Sequence, residues 1–248
     1  MSDSPLFMLR AEFDELALSR FAARAGINLS VADGGYILHT ALAALFGEAA
    51  PRPFAVRDER ARQLTLYGYS TEDHRSLSER ARALADPLAA ATIDFESFCS
   101  KAMPSNWRAG ARYRFESRVC PIVRISGRSR GEQPSETDAF LYRCLREGPA
   151  VKVNRQTVYR DWLEKEIGRY GAARLVDRDY VRLTRLQRQR LARRDRSGVR
   201  SSLRLCERPD ATLSSVLEIV SPEAFGKLLR RGLGRHRAFG FGMLLLRP

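Results

Sequence analysis

Apolar and polar side chains alternate along Leu6–Phe13, with Phe7, Leu9 and Ala11 on one side, and this period of two predicts a strand. Asp33–Gly35 is a turn signal. From Tyr36 to Phe46 the period changes: Ile37, Leu38, Ala41, Leu42 and Leu45 recur at helical spacing, and Gly47 stops the run. Pro53–Val56 and Gln63–Tyr69 read as two strands separated by charged residues. Thr71 is placed to cap a polar helix through about Leu84, with Glu72 and Asp73 in its first turn. A strand near Ala90–Phe95 completes the order strand, helix, strand, strand, helix, strand, which is the βαββαβ order of a ferredoxin-like unit.

The second half opens with Arg112–Ile125 as one long strand, in which Tyr113 and Phe115 alternate with Arg112 and Arg114. Gly127–Pro134 reads as a polar loop. Thr137–Arg146 and Thr157–Ile167 read as helices, the second with Val158, Trp162 and Leu163 on its apolar side. Arg178–Arg196 reads as an arginine-dense helical stretch with too few apolar residues for a buried stripe. Ser202–Cys206 and Thr212–Val220 alternate as strands. Ser221 followed by Pro222 marks the start of a helix to about Arg231, and Arg237–Leu246 is the closing strand. Trp107 and Trp162 are expected in the core or at a seam. No sequence repeat joins the halves, and the boundary is expected between Ser100 and Gly110, giving units 1–105 and 106–248.

Composition narrows what such a chain can do. Of 248 residues 44% are apolar, enough for a real core. Lys and Arg number 43 against 29 Asp and Glu, a net charge of +14, and nearly all the cations are arginine. That excess points to a polyanionic partner, and arginine's planar fork suits phosphates and guanine edges. Nucleic acid is favoured over an anionic membrane, because no long basic amphipathic helix with an aromatic face is present. Met1–Leu6 does not lead into a long apolar stretch, and no run is long enough to span a bilayer, so a cytoplasmic protein is expected. Cys99, Cys120, Cys144 and Cys206 include no C-x-x-C pair and no histidine at ligand spacing, so no metal site and no cofactor are expected.

The sharpest segment is Arg230–Gly242, where Gly232, Gly234, Gly240 and Gly242 are interleaved with Arg230, Arg231, Arg235, His236 and Arg237, just after Lys227. Glycines permit positive φ and close approach, and arginines neutralise phosphates. The alternative is a structural helix-to-strand turn. The second basic feature carries Arg182, Arg185, Arg188, Arg190, Arg193 and Arg194. It reads either as a finger laid in an RNA groove or as a solvated charged helix.

This C-terminal segment resembles the glycine-rich loop of the CRISPR-associated repeat endoribonucleases, particularly the CasE type; the arginine-rich stretch is longer than expected of that type, which directs attention to the type IV relatives. Val216–Phe225, leading into Leu228–Gly234, and Ala238–Leu245 carry the resemblance; Val158–Leu163 and Gly35–His39 support it more loosely. The resemblance implies an α+β fold of two tandem ferredoxin-like domains with the arginine-rich helical segment inserted. It implies metal-independent cleavage of a CRISPR repeat hairpin in precursor crRNA by 2′-OH attack, with the product retained and other effector-complex subunits as partners. It also implies that Tyr36 and His39 do the proton work. Three residues apart, they share one helical face, and a histidine of pKa about 6.5 serves as acid or base near neutrality. Arg24, Arg235 and Arg237 are candidates to stabilise the phosphorane charge. His236 is an alternative proton carrier, and His74 is expected to face solvent. Without catalysis, Tyr36 and His39 are a helix N-terminus packed at a seam. The rival functions are a non-catalytic RNA-binding subunit and a basic nucleic-acid-binding module unrelated to CRISPR.

Overall fold

The computed structural model describes residues 5–28, 32–60, 63–125, 135–194 and 203–247. Strand β1 (Phe7–Asp14) buries Leu9, Ala11 and Phe13 on one face. The residues that follow, which carried no expectation, form helix α1 (Glu15–Arg24). Asp14 caps it by accepting from the Ala17 amide at 2.6 Å, and Leu18, Phe21 and Ala22 turn inward. The turn signal at Asp33 is the cap of α2 (Gly34–Phe46): its carboxylate accepts from the Tyr36 amide at 3.0 Å, so the helix begins two residues before Tyr36. Leu38, Ala41, Leu42 and Leu45 face the core as their spacing predicts.

Strands β2 (Phe54–Arg60) and β3 (Gln63–Ser70) pair antiparallel. Helix α3 (His74–Leu84) is capped by Asp73 rather than Thr71. His74 is half-buried, not solvent-facing, with Nδ1 2.8 Å from Ser100 Oγ. A one-turn helix α4 (Pro87–Ala90) precedes β4 (Ile93–Ala102), longer than the expected Ala90–Phe95. The sheet order is β2-β3-β1-β4, antiparallel throughout, and α1, α2 and α3 contribute to one core with it.

In the second half Arg112–Ile125 is two strands, β5 (Arg112–Val119) and β6 (Ile122–Ile125). Pro121, which lacks the N–H a ladder needs, sits at the break. β6 pairs with β7 (Ser135–Asp138); the expected helix from Thr137 starts at Ala139 instead, where Asp138 caps α5 (Ala139–Glu147). The Gly127–Pro134 loop lies outside the described residues. Helix α6 (Arg155–Ile167) is followed by the short strand β8 (Ala173–Leu175).

The largest correction is the arginine-rich segment, which is a strand, β9 (Arg182–Arg194), and not a helix. It pairs with β10 (Leu203–Ile219), one 17-residue strand where two were expected. Pairing along the ribbon outweighs the helical propensity of its Arg, Leu, Gln and Ala residues, which have too few apolar side chains among them to bury a helical stripe. β10 passes through Pro209 because its ladder to β5 begins only at Ala211, leaving a neighbour on one side at the proline. Helix α7 (Pro222–Arg231) starts at the expected Ser221 cap. The closing strand is reduced to β11 (Leu245–Arg247), and Arg237–Phe239 is a 3₁₀ turn. The second sheet runs β11-β5-β10-β8 with β9 on β10.

Tyr69 joins the halves from a fully buried position: its hydroxyl donates to the Leu244 carbonyl at 2.9 Å. Arg57 of β2 pairs with Glu116 of β5 at 2.5 Å. Trp162 and, less fully, Trp107 pack in the second-half core as expected.

Candidate active site and nucleic-acid interface

Gly35, in the first turn of α2, has no Cβ, and one placed there would lie 2.3 Å from the Phe239 carbonyl oxygen. The missing side chain lets the Arg237–Phe239 turn close on the start of α2. The Phe239 ring is then stacked on Tyr36, with centroids 6.2 Å apart and planes at 14°, and sits edge-on to His39 at 5.1 Å and 70°. The two regions singled out in the sequence therefore meet, through an aromatic ring that sequence reasoning had not marked as a site residue.

Beside them runs a groove of about 560 Å³ lined by Arg52, Arg230, Arg231, Arg235, Arg237 and Phe239, among others. Burial lowers the His39 pKa below its ordinary 6.5, and the charge of Arg52 lowers it further. A histidine so held is neutral at pH 7 and able to accept a proton. Arg24 is exposed in the last turn of α1 and makes no hydrogen bond or ion pair with Tyr36 or His39. Arg52 is the cation that stands near His39, and nothing in the sequence marked it.

The glycine-rich segment is packed rather than free. Gly242, at φ +80°, donates to the Arg118 carbonyl, and its own carbonyl accepts from Leu233; a Cβ there would overlap the Leu233 oxygen. Leu233, Phe241, Met243 and Leu244 are all buried. Of the segment's arginines Arg235 is exposed, and Arg230, Arg231 and Arg237 are half-buried. Arg237 reaches the Arg231 carbonyl at 2.5 Å, and Arg230 the Pro5 carbonyl at 3.3 Å. Gly232 packs on Pro53, and Gly234 on Trp162 with its amide donating to Glu166 at 3.1 Å. Lys227, exposed on α7, pairs with Glu223. The exposed Arg235 and the buried His236 both engage Glu136 of β7, at 2.6 and 3.2 Å, and Arg208 approaches the same carboxylate at 3.6 Å. The His236 ring thus lies against the carboxylate that Arg235 and Arg208 share, with its centroid 6.4 Å from that of Phe239.

The β9–β10 ribbon is anchored by a buried network. The Asp210 side chain has no exposed surface and accepts two bonds from Arg118, each 2.9 Å, and one from Gln187 at 2.7 Å. Arg118 also bonds Gln189 at 2.7 Å and lies 4.4 Å over the Phe241 ring. Arg182 and Arg185 on the sheet side of this anchor, and Arg188 and Arg190 beyond it, are exposed. Arg188 and Arg190 approach Glu207, at 3.9 and 3.6 Å. Arg193 and Arg194 lie near the end of the strand, and their side chains are outside the described residues. Among the described residues no group of three His, Cys, Asp or Glu is placed to hold a metal ion, and no helix is long and apolar enough to cross a membrane.

A family model described as CRISPR associated protein matches residues 7–248. The chain belongs to that family. No curated protein matches it. Among solved structures it resembles Thermus thermophilus Cse3 bound to an RNA representing a pre-cleavage complex, with a TM-score of 0.61 and 20% identity over 98% of this chain and 100% of that one. Cas6e from Escherichia coli gives 0.54 and 18% over 97% and 99%. A chain of a CRISPR RNA-guided surveillance complex gives 0.52 and 16% over 97% and 98%. These likenesses establish a shared α+β fold over whole chains.

Proposed function

We propose that this CRISPR-associated protein is an endoribonuclease that cuts the repeat hairpin of precursor crRNA and keeps its product for assembly with other subunits. The observation that carries the reading is the convergence of Tyr36, His39 and Phe239 beside the arginine-lined groove. Relatives of the same fold whose solved forms are RNA-bound or part of an RNA-guided complex support it.

In the proposed reaction His39 accepts the proton of a ribose 2′-OH. The 2′-oxygen bonds to the adjacent phosphorus, the bond to the 5′-oxygen breaks, and that oxygen takes up a proton. A 2′,3′-cyclic phosphate and a 5′-OH result, with no step that calls on a metal. Tyr36 hydrogen-bonds a phosphoryl oxygen. Arg52 and the loop arginines stabilise the charge that builds on phosphorus, the role first considered for Arg24. The cations Arg182, Arg185, Arg188, Arg190, Arg193 and Arg194 of the ribbon grip the hairpin, and so do Lys227, Arg230, Arg231, Arg235 and Arg237 around the glycine segment.

We further read the fold as two ferredoxin-like units, residues 1–105 and 106–248. The strand orders support this: β4-β1-β3-β2 and β11-β5-β10-β8 each run fourth, first, third, second.

A Tyr36→Phe/His39→Ala double variant tests the catalytic reading. Hairpin binding is expected to persist while cleavage slows by about 10²-fold or more. Cleavage at the full rate contradicts it. The non-catalytic alternative draws on the same ring contacts, which seam packing alone would also produce; binding without cleavage by the unaltered protein selects it.

A further inference from the structure

Tyr170 is an unusual residue for its surroundings. It lies in the 3₁₀ turn Arg169–Gly171 at φ 61° and ψ 23°, in the left-handed region. Bulky side chains rarely adopt that conformation. Among the described residues only one other non-glycine residue has positive φ: His236, in the candidate site. Tyr170 is also 80% exposed. A folding role does not account for a large ring held in water on a backbone that glycine would suit better.

The ring's neighbours are cationic. The Arg231 guanidinium lies 5.5 Å from its centroid, a cation–π contact. Arg169, Lys227 and Arg231 line the same groove of about 410 Å³, against one lining carboxylate, Glu223. Lys227 holds that carboxylate in an exposed pair, the kind that solvent and ligands readily displace. This groove also continues the candidate site, because Arg231 lines both it and the groove beside Phe239. A strand of RNA leaving the reacting phosphate therefore has a basic path that ends on an exposed aromatic ring.

We propose that Tyr170 is the stacking platform for an unpaired nucleotide flanking the RNA hairpin, with Arg169, Lys227 and Arg231 holding the neighbouring phosphates. An aromatic face with cations beside it is how single-stranded nucleic acid is gripped without reading its sequence. The inference rests on the RNA-binding reading above and adds a site for the single strand.

The test compares the full-length protein with Tyr170→Gly and Tyr170→Trp variants, by fluorescence anisotropy, on three RNAs: the bare repeat hairpin, the hairpin with unpaired flanks, and an unstructured oligonucleotide. Glycine suits the backbone at 170, so the Gly variant is expected to melt no lower than the parent. It should bind the bare hairpin like the parent and the flanked hairpin roughly tenfold more weakly, with Trp restoring the loss. Equal affinity of the parent and the Gly variant for the flanked hairpin overturns the proposal, as does an equal loss on all three RNAs. If the parent shows no hairpin preference, the endoribonuclease reading fails; a weaker grip of the Gly variant on the unstructured oligonucleotide would still uphold the stacking site. As an independent readout, 2-aminopurine placed at each flank position should be quenched at one of them by the parent protein. Quenching at none overturns the assignment.

Discussion

The His39 ring meets the Phe239 ring edge-on, with centroids 5.1 Å apart, although the two residues lie in opposite halves of the chain. The contact ties the first turns of α2 to the Arg237–Phe239 turn within the glycine-rich segment. It also covers part of the imidazole, and burial is the larger reason its pKa is lowered. The Phe239 ring thus packs on His39 and adds to the burial that lowers its pKa.

The closeness of that seam depends on Gly35. In a Gly35→Ala variant the new methyl would meet the Phe239 carbonyl oxygen at 2.3 Å and Asp33 Oδ1 at 2.9 Å, so the turn must shift away. We predict a loss of about 1–3 kcal/mol in denaturant unfolding, together with slower cleavage. Gly34→Ala is the control: nothing lies within 4 Å of its Cβ position, and its effect should stay within about 1 kcal/mol of zero or favour the helix.

The lowered pKa of His39 sets a pH dependence. As a base it must be neutral, so the cleavage rate should be flat near pH 7 and fall on acidification with a midpoint below 6.5. The same shift affects stability. The unfolded chain binds the proton at about 6.5 and the folded one only at lower pH, so between those values the unfolded state holds more protons. Stability from this group is complete above 6.5 and is lost as pH falls through that window. Single-turnover rates and melting curves of the parent and His39→Ala across pH 4.5 to about 8 check both, and the variant should lack both limbs.

Asp210 is wholly buried at the root of the β9–β10 ribbon, held by Arg118 and Gln187. Arg118→Met strands the carboxylate without its charge partner, and we predict a loss of about 3–5 kcal/mol by thermal unfolding. The paired replacement Arg118→Met with Asp210→Leu should recover much of it. A single variant as stable as the parent contradicts the anchoring role.

Farther out, Arg188 and Arg190 are exposed and, among the described residues, meet one carboxylate, that of Glu207. Replacing both with alanine should leave the melting temperature unchanged and weaken RNA binding. The slope of log affinity against log salt should fall by about one to two units. An unchanged salt slope would place the ribbon away from the RNA.

Helix α2, helix α7 and strands β1 and β3 were legible in the sequence because each couples a clear apolar period to a cap or stop: Leu38, Ala41, Leu42 and Leu45 before Gly47, or Ser221 and Pro222 before Phe225, Leu228 and Leu229. β9 was not, since arginine fills both of its faces and masks the period. The signal available was Gln187, Gln189 and Leu191 alternating with Arg188 and Arg190. Tyr36, His39 and the glycine segment could be singled out, but the contact between them passes through Phe239, and no local pattern encodes a contact between residues 200 apart in sequence. Glu136 and Asp210 were missed for the same reason, since their partners lie far along the chain; Arg52 was missed because it sits in a loop beyond the end of α2, where no local pattern ties its charge to His39.

The central claim is 2′-OH attack assisted by this chain's own side chains. The most direct measurement incubates the purified protein, in EDTA, with its repeat hairpin RNA and with the same RNA carrying a 2′-deoxy at the scissile nucleotide. The account predicts cleavage of the first to a 2′,3′-cyclic phosphate and survival of the second. Cleavage of both, or binding of both with cleavage of neither, would contradict it.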